Sequence, residues 1–254
     1  MKIIVCVKQV AVLGDEVQFT DDARNVDPDY LDVALNEWDS VATEEALLLK
    51  EHRAGEGDEV VVVSVGDRQV DDALRRCLAM GADRATRVDR TGPADPITLA
   101  RLLAPVVERE APDLVLCGVQ SSDAVQAATG TALAEVLGLP RVAVVTRIGW
   151  DPGSARATVS RELEGGLIDV VEVDLPAVLT IQTGINKPRY ATLRAIKQAE
   201  QKEIEVVPAD AEHEPAYRVR RMFAPPRGGG AQMLEGGPAE IARRIKEIVE
   251  ERLK

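Results

Sequence analysis

The sequence predicts a doubly wound α/β fold, in which helices cover both faces of a mostly parallel sheet. Three features of the first 140 residues lead to this prediction. Short apolar runs alternate with longer segments of helical apolar spacing. Turn residues separate the two kinds of segment. The apolar runs also lack polar alternation, which is typical of strands buried on both faces of a sheet.

Four strands and four helices are predicted in this part of the chain. The strands are KIIVCV, EVVVVSVG, RATRV and PDLVLCG, and the helices are NEWDSVATEEALLLKEHRAG, DRQVDDALRRCLAMGA, DPITLARLLAPVVEREA and AVQAATGTALAEVLG. Asn36 and Asp39 resemble a capping box at the start of the first helix, and Gly81 suits the end of the second. Pro105 predicts a kink or a boundary in the third helix.

The pattern changes near residue 141. Three strand-like segments, RVAVVTRIGW, ARATVSREL and LIDVVEVDL, are separated by the turn sequences DPGS and EGG. They predict an antiparallel hairpin extension of the sheet, and AVLTIQTG predicts one more strand. Residues 186–202 follow as a polar segment with few core positions.

Residues 208–254 are predicted to form a C-terminal arm that follows a domain of residues 1–207. The stretch PPRGGGAQMLEGG has the composition of a linker, and Pro238 suits the first turn of a helix. That helix carries an apolar stripe formed by Ile241, Ile245, Ile248, Val249 and Leu253. The stripe is expected to pack either on the chain's own domain or on a partner protein.

Composition narrows the class of protein. The 254 residues carry a formal net charge of -12, which argues against general binding to nucleic acid. Cys6, Cys77 and Cys117 form no CxxC pair, so we expect small core residues rather than a zinc site or disulfides. The start MKIIVCVKQV lacks the features of a signal peptide, and no apolar run is long enough to span a membrane. These features predict a cytoplasmic protein without membrane insertion.

Three predicted strand ends are rich in small or hydrogen-bonding residues: CVKQ, SVG and GVQSSDAVQAATG. In open parallel sheets, ligands bind at the carboxyl ends of the strands. A helix that begins near Asp123 would offer free N–H groups to an anion, with further donors from the residues just before it. A nucleotide could then approach Thr129 and Gly130. The alternative is that Asp123 only caps the helix, while Thr129 and Gly130 are small packing positions.

Several familiar catalytic and binding motifs are absent from the sequence. No GxGxxG follows the first strand, and no GxxxxGK[ST] motif occurs. His52 and His213 form no evident pairing with a serine or cysteine nucleophile. We therefore expect a protein that does not catalyse a reaction with its own side chains.

Six stretches together resemble the β subunits of electron transfer flavoproteins, over roughly residues 1–207. They are VKQV, NEWDSVATEEALLLKE, CLAMGADRA, DLVLCGVQSSD, RELEGGLIDVVEVDLPAV and NKPRYATLRAIKQAEQKEIEV. The last of these is highly specific. The resemblance implies a Rossmann-type sheet of the kind found in adenine-nucleotide hydrolases.

The resemblance also implies a heterodimer. In that family the α subunit holds the redox-active FAD, and the β subunit holds AMP as a structural ligand. Electrons arrive from flavin dehydrogenases and leave to an acceptor such as a quinone oxidoreductase. By motif position, the implied ligand residues are Cys6, Asn36, Glu37, Trp38, Asp39, Val65, Gln120, Ser121, Ser122, Asp123, Ala124, Val125, Gln126, Ala127, Ala128, Thr129, Gly130 and Thr131. Trp38 lies where relatives place an aromatic residue near the flavin, although it can equally serve packing.

The YATL stretch matches the family's recognition loop, which we call the docking segment and assign to residues 186–203. Its Leu193 is implied to dock into partner dehydrogenases, flanked by Tyr190, Arg194 and Lys197. The arm, residues 208–254, is then expected to pack on the partner subunit.

The ligand motif departs from the family pattern. SSDAVQAATG keeps Asp123, Thr129 and Gly130, but it matches neither the conventional NQTG ending nor the DGDTAQVG pattern of electron-bifurcating members. The Thr129–Gly130 pair favours AMP. The alternative is a bifurcating β subunit that holds its own FAD. An alternative of another class is a standalone ATP- or AMP-binding α/β module of the stress-protein type.

Overall fold

The computed structural model describes residues 1–12, 14, 17–53, 55, 57–151, 153–209, 215–225, 231 and 233–253. The described strands are β1 (Lys2–Cys6), β2 (Gln9–Val12), β3 (Asp32–Leu35), β4 (Glu59–Gly66), β5 (Arg84–Asp89), β6 (Leu114–Gly118), β7 (Arg141–Gly149), β8 (Arg156–Glu162), β9 (Ile168–Asp174), β10 (Ala177–Ile181) and β11 (Glu205–Pro208). The described helices are α1 (Glu37–Arg53), α2 (Asp71–Met80), α3 (Pro96–Glu110), α4 (Thr129–Leu137), α5 (Leu193–Gln201) and α6 (Pro238–Arg252).

A nine-stranded sheet forms the centre of the fold, in the order β11-β5-β4-β1-β6-β10-β7-β8-β9. The strands from β11 to β7 pair in parallel, whereas β8 and β9 pair antiparallel. This confirms the predicted α/β class and its antiparallel extension. Because β4 and β5 lie on one side of β1 and β6 lies on the other, the winding reverses between β1 and β6.

The two faces of the sheet bury two separate hydrophobic clusters. Ile3 and Val5 of β1 pack in one cluster together with α1 and α2, while Ile4 and Cys6 pack in the other with α3 and α4. Successive side chains of a strand point to opposite faces, so a strand covered on both faces must be apolar throughout. This is the physical reason for the unbroken apolar run IIVC that follows Lys2.

Two predictions about helix ends have different outcomes. Gly81 ends α2 with a φ of 131°, a backbone conformation that a residue with a side chain rarely adopts. Pro105 does not mark a boundary, because α3 continues through it to Glu110. Pro105 lies on the exposed side of α3. Water can therefore reach the carbonyl group that loses its helical partner there.

The predicted capping box at the start of α1 is wrong. A capping box requires the carboxylate of Asp39 to accept from the backbone N–H of Asn36. That N–H instead donates to the carbonyl oxygen of Lys8 at 2.9 Å. The carboxylate of Asp39 accepts from the backbone N–H groups of Lys8 and Gly118. The side chain of Asp39 thus connects α1 to the ends of β1 and β6, which local sequence patterns do not reveal.

The start predicted for the fourth helix is also wrong. Helix α4 begins at Thr129 rather than near Asp123, and residues 120–128 form a loop that we call the cleft loop. Val125 and Ala127 in this loop have φ angles of 52° and 49°. Such left-handed conformations interrupt a right-handed helix. The helical apolar spacing before Thr129 was therefore misleading.

Four elements were not predicted from the sequence. Strands β2 and β3 form an antiparallel pair between β1 and α1. Helix α5 and strand β11 lie in the stretch from the docking segment onward, and β11 pairs in parallel with β5. Helix α5 is polar, and Ala199 is its one buried residue. Arg75 donates to the carbonyl oxygens of Ala199 and Glu200, so a distant side chain satisfies the end of this helix.

Helix α6 confirms the amphipathic helix of the arm, with Pro238 in its first turn. Ile245 and Val249 of the stripe are about half exposed, and Leu253 is 82% exposed. Part of the predicted linker, residues 226–230 and 232, lies outside the described residues. None of the helices in the described ranges has the length and apolar character needed to cross a membrane.

Candidate functional site

A cleft lies at the carboxyl ends of β1, β4 and β6, where the winding of the sheet reverses. About 900 Å³ of empty space lies within it, including the solvent at its open mouth. Its floor contains Cys6 and Val65 at the strand ends, and its far wall contains Leu99 and Leu103 of α3. All three predicted strand ends therefore contribute to one cleft.

Asp39 and Asn36 connect the rim of the cleft. The carboxylate of Asp39 accepts from Lys8 N–H at 2.8 Å and from Gly118 N–H at 3.0 Å, which joins the ends of β1 and β6. The amide of Asn36 donates to Gln120 O at 2.8 Å and accepts from Ser122 N–H at 3.2 Å. Both side chains are almost completely buried. The start of α1 thus fixes where the cleft loop leaves β6.

The ionisation of Asp39 is set by opposing effects. Burial raises the pKa of this carboxyl group to about 7, while hydrogen bonds from Lys8 N–H, Asn36 and Gly118 N–H pull the pKa down. A buried carboxylate loses the hydration that stabilises its charge, and donors restore only part of that stabilisation. The rim of the cleft therefore contains a carboxyl group that titrates near neutral pH.

Gly118 allows the backbone of α1 to approach the end of β6. A Cβ atom at this position would lie 2.6 Å from Trp38 Cβ and 2.9 Å from the backbone carbon of Trp38. Contacts this short are not tolerated, and a helix backbone has little freedom to move. The close approach also brings the N–H of Gly118 to the carboxylate of Asp39. A glycine is therefore required at the junction.

The N-terminus of α4 faces the cleft. Ala128 and Thr129 line it, and Ala128 has no side-chain oxygen that could cap the helix. The first backbone N–H groups of a helix lack partners within the helix and carry partial positive charge, so they favour an anion. The helix N-terminus expected near Asp123 therefore lies at Thr129.

Gly130 packs closely against the sheet. A Cβ atom there would lie 2.6 Å from Thr180 Cγ2 and 3.3 Å from Cys117 Cβ. Gly130 therefore allows α4 to lie close to the sheet, and it does not open space for a ligand. The packing alternative stated for Gly130 is correct, and the close packing still places the helix end at the cleft.

Lys8 and Asp123 form an ion pair beside the cleft. The Nζ atom of Lys8 lies 2.6 Å from Asp123 Oδ1 and 3.3 Å from Ser121 Oγ. Burial raises the pKa of Asp123, but the hydrogen bonds from Lys8 and Ser121 outweigh it, and the net pKa is lowered. Asp123 is thus a carboxylate partner of Lys8, which lines the cleft, rather than a helix cap.

The structure places the sequence-predicted ligand residues in two groups. One group lines the cleft: Cys6, Asn36, Asp39, Val65, Gln120, Ser121, Ala124, Gln126, Ala127, Ala128 and Thr129. The other group lies beside it without lining it: Glu37, Trp38, Ser122, Asp123, Val125, Gly130 and Thr131. Trp38 donates from Nε1 to Gln182 Oε1 at 3.0 Å, so its indole nitrogen has a partner within the chain.

Sequence reasoning missed several lining residues. Lys8 and Gly118 belong to the strand ends that had been singled out, and their position alone could have identified them. Leu99 and Leu103 form the far wall, but their spacing only indicates a buried helix face. Tyr217 lines the cleft from the C-terminal part of the chain, and no feature of the sequence indicated that it returns to the sheet.

The three cysteines are buried and free, in agreement with their expected role as core residues. Cys6 and Cys117 are paired positions on the neighbouring strands β1 and β6. A hydrogen bond with Cys6, together with burial, raises the pKa of the Cys117 thiol well above its ordinary value. Burial raises the pKa of Cys77 to about 12. Thiols with raised pKa values stay protonated and unreactive.

The docking segment is anchored on α1. Arg189 Nε lies 2.9 Å from Glu44 Oε2, and Arg189 Nη1 lies 2.6 Å from Glu51 Oε1. Asn186 donates to Glu45 Oε2 at 2.9 Å. The glutamate side chain of Glu44 is only 5% exposed, so the guanidinium compensates a buried charge. The first part of the docking segment, which precedes Tyr190 and Leu193 in sequence, is therefore fixed to α1.

The apolar residues of the docking segment point to solvent. Tyr190 is 84% exposed and Leu193 is 81% exposed, and Arg194 and Lys197 are exposed beside them. Leu193 is the first residue of α5, whose N-terminus is capped by Thr192. The predicted loop is thus half helical. The exposed Leu193 therefore belongs to a helix rather than to an irregular loop.

The fold and the cleft together define a doubly wound α/β protein with a cleft at the switch point of its sheet, where ligands bind in folds of this class. Comparison with known proteins is specific. Residues 26–212 match the model of the electron transfer flavoprotein domain. Electron transfer flavoprotein subunit beta of Methylophilus methylotrophus is 48% identical over 99% of this chain and 98% of the relative.

Two further relatives have the same description. The subunit beta of Syntrophomonas wolfei is 33% identical over 100% of this chain and 98% of the relative, and that of Homo sapiens is 36% identical over 82% and 81%. The chain therefore belongs to the electron transfer flavoprotein family, among its beta subunits.

Proposed function

We propose that this chain is the β subunit of a heterodimeric electron carrier, which accepts electrons from flavin dehydrogenases and passes them to a downstream acceptor such as a quinone oxidoreductase. An FAD held mainly by the α subunit supplies the redox chemistry. This chain holds AMP in the cleft and provides the surface on which dehydrogenases dock. The three buried free thiols suit the reducing environment of the cytoplasm.

The observation that carries the AMP proposal is the helix end at the switch point. The uncapped N-terminus of α4 faces the cleft at Thr129 and suits the phosphate group. Lys8 adds a cationic side chain, and Ser121 adds a hydroxyl group. The aliphatic wall formed by Leu99 and Leu103 suits the less polar part of a nucleoside. The residues present therefore fit an adenine nucleotide.

A count of bound nucleotides tests this proposal. The chain is co-expressed with its α subunit, and the complex is denatured so that chromatography can quantify the released cofactors. One FAD and one AMP per heterodimer is the expected result. Release of two FAD and no AMP per heterodimer would mean that a second flavin occupies the site proposed for AMP, and it would assign the protein to the bifurcating class. A chain that forms no complex and binds nucleotide alone would contradict the carrier proposal and favour the standalone module.

Leu193 supports the docking proposal, because a large apolar side chain that is 81% exposed contributes little to folding. We expect Leu193→Ala to raise the KM for a dehydrogenase donor about tenfold, since truncation of an interface anchor costs more than about 1 kcal/mol. Cofactor content and the midpoint of urea unfolding should stay unchanged. Steady-state electron transfer at varied dehydrogenase concentration measures the effect.

Two further variants serve as controls for this prediction. Leu193→Met keeps an apolar side chain and should retain most of the affinity for the dehydrogenase. Leu167→Ala removes the same atoms from another exposed leucine, which is 66% exposed in the antiparallel extension. If Leu193→Ala and Leu167→Ala had equal kinetics with every donor, Leu193 would have no docking role.

A further inference from the structure

A stretch of the C-terminal arm, residues 215–223, reaches the cleft through Tyr217, and we call it the C-terminal strap. The backbone N–H of Ala216 donates to the carboxylate of Asp95, which also caps α3 by accepting from Thr98 N–H at 2.7 Å. At the other end of the strap, Met222 N–H donates to Ala23 O at 2.6 Å. Two backbone hydrogen bonds thus attach the strap to the chain's own domain.

Tyr217 lies between these two attachments and lines the cleft. The side-chain amide of Gln126 donates to its hydroxyl oxygen. Gln126 belongs to the cleft loop and lines the opposite side of the mouth. The strap and the cleft loop, which are about 90 residues apart in sequence, therefore meet above the cleft.

The chemistry of Tyr217 differs from that of the remaining wall. Among the described residues that line the cleft, Tyr217 alone has an aromatic ring, while Val63, Leu99 and Leu103 are aliphatic. An aromatic ring can stack on a nucleobase, and such stacking contributes substantially to nucleotide binding. The hydroxyl oxygen accepts from Gln126, so its proton can be donated to an oxygen or nitrogen atom of a ligand.

We propose that Tyr217 is a nucleotide-binding residue, supplied to the cleft by the C-terminal strap. This inference rests on the proposed function and adds the strap to its ligand site. The bound nucleotide contacts the ring of Tyr217 and holds the strap against the cleft loop. The side chain of Tyr217 is about half exposed, so a bound nucleotide adds to its packing. Nucleotide occupancy and the position of the C-terminal arm are therefore linked.

The dissociation rate of AMP tests the role of the ring and of the hydroxyl group. The full-length chain, in complex with its α subunit, is loaded with radiolabelled AMP and chased with unlabelled AMP. We expect Tyr217→Ala to speed dissociation by about 10- to 100-fold through loss of stacking. Tyr217→Phe should speed it only about 2- to 10-fold, because it loses one hydrogen bond. Tyr30→Ala removes an exposed tyrosine that does not line the cleft. AMP should dissociate from this variant at the wild-type rate.

Limited trypsin digestion tests the link to the strap. Arg220 is exposed within the strap, and Arg243 in α6 offers a reference site outside it. We expect AMP to slow cleavage after Arg220 in the wild type several-fold relative to cleavage after Arg243. In Tyr217→Ala the same addition of AMP should leave the ratio of the two cleavage rates unchanged.

The outcomes separate this inference from the proposed function. If the wild type binds AMP, but Tyr217→Ala dissociates at the same rate and AMP does not protect Arg220, the role of Tyr217 is overturned and the AMP site stands. If the wild type binds no AMP, both the site and the role of Tyr217 are overturned. If AMP dissociates faster from Tyr217→Ala, and AMP no longer protects Arg220 from trypsin in that variant, the strap is established as part of the site.

Discussion

Replacement of Gly118 by alanine is expected to abolish nucleotide binding and to lower the free energy of unfolding by about 3 kcal/mol, at the upper end of overpacking effects. The new methyl group would lie 2.6 Å from Trp38 Cβ and 2.9 Å from the backbone carbon of Trp38. A flexible side chain could turn away, but the backbone of α1 cannot. Relief requires that α1 and β6 separate, which breaks the hydrogen bond from Gly118 N–H to Asp39.

The chain offers a matched control in Gly149, which also ends a strand. A Cβ atom there would meet only the carbonyl oxygen of Thr158, at 3.4 Å, an ordinary contact distance. Urea unfolding and the AMP content of the two alanine variants should therefore differ clearly. If Gly118→Ala unfolded within about 0.5 kcal/mol of Gly149→Ala, the range of ordinary surface substitutions, the junction would be looser than the structure indicates.

The sheet could be predicted because its physical causes are local. A strand such as β1, whose residues IIVC are buried on both faces, has to be apolar at each of these positions, and the sequence displays this directly. The antiparallel extension was equally visible, since turn residues separate its strands. Helix α5 was not visible, because it buries Ala199 alone and Arg75 satisfies its last carbonyl groups. That contact joins residues more than 120 positions apart in sequence.

The location of the cleft could also be predicted, whereas its detailed construction could not. The three strand ends were identified from small and polar residues, and the topology brings them together. The start of α4 was misplaced because the stretch AVQAATG has helical composition. Its conformation depends instead on the tertiary partners of Asp123 and Gln126. Tyr217 was missed for the same reason, since its position depends on the hydrogen bond that the neighbouring Ala216 N–H donates to Asp95.

Asp39 is expected to give the protein a pH-dependent stability near neutrality. Its pKa is about 7 in the folded chain, against 3.8 as the ordinary value. Between these two values the folded state binds more protons than the unfolded state, so the free energy of unfolding falls as the pH rises. The contribution is fully present below pH 3.8 and is lost as the pH passes through 7.

The variant Asp39→Asn isolates this effect, because an amide does not titrate. From pH 5 to pH 8 we expect the wild type to lose about 3 kcal/mol of unfolding free energy relative to Asp39→Asn, at roughly 1.4 kcal/mol per pKa unit. Other titrating groups contribute equally to both proteins and cancel in the difference. The variant is expected to be less stable overall, since its amide group cannot accept from both Lys8 N–H and Gly118 N–H.

A direct titration keeps the prediction testable even if Asp39→Asn fails to fold. The carboxyl carbon of Asp39 in the isotope-labelled wild type should change its NMR chemical shift with a midpoint near pH 7. A midpoint below pH 4, or parallel stability curves for the two proteins, would mean that the donors Lys8 N–H, Gly118 N–H and Asn36 outweigh burial. In that case Asp39 would be negatively charged at neutral pH, and its carboxylate would repel a phosphate group bound in the cleft. The titration of one carboxyl group therefore bears on both the stability of the β1–β6 junction and the charge that a nucleotide meets there.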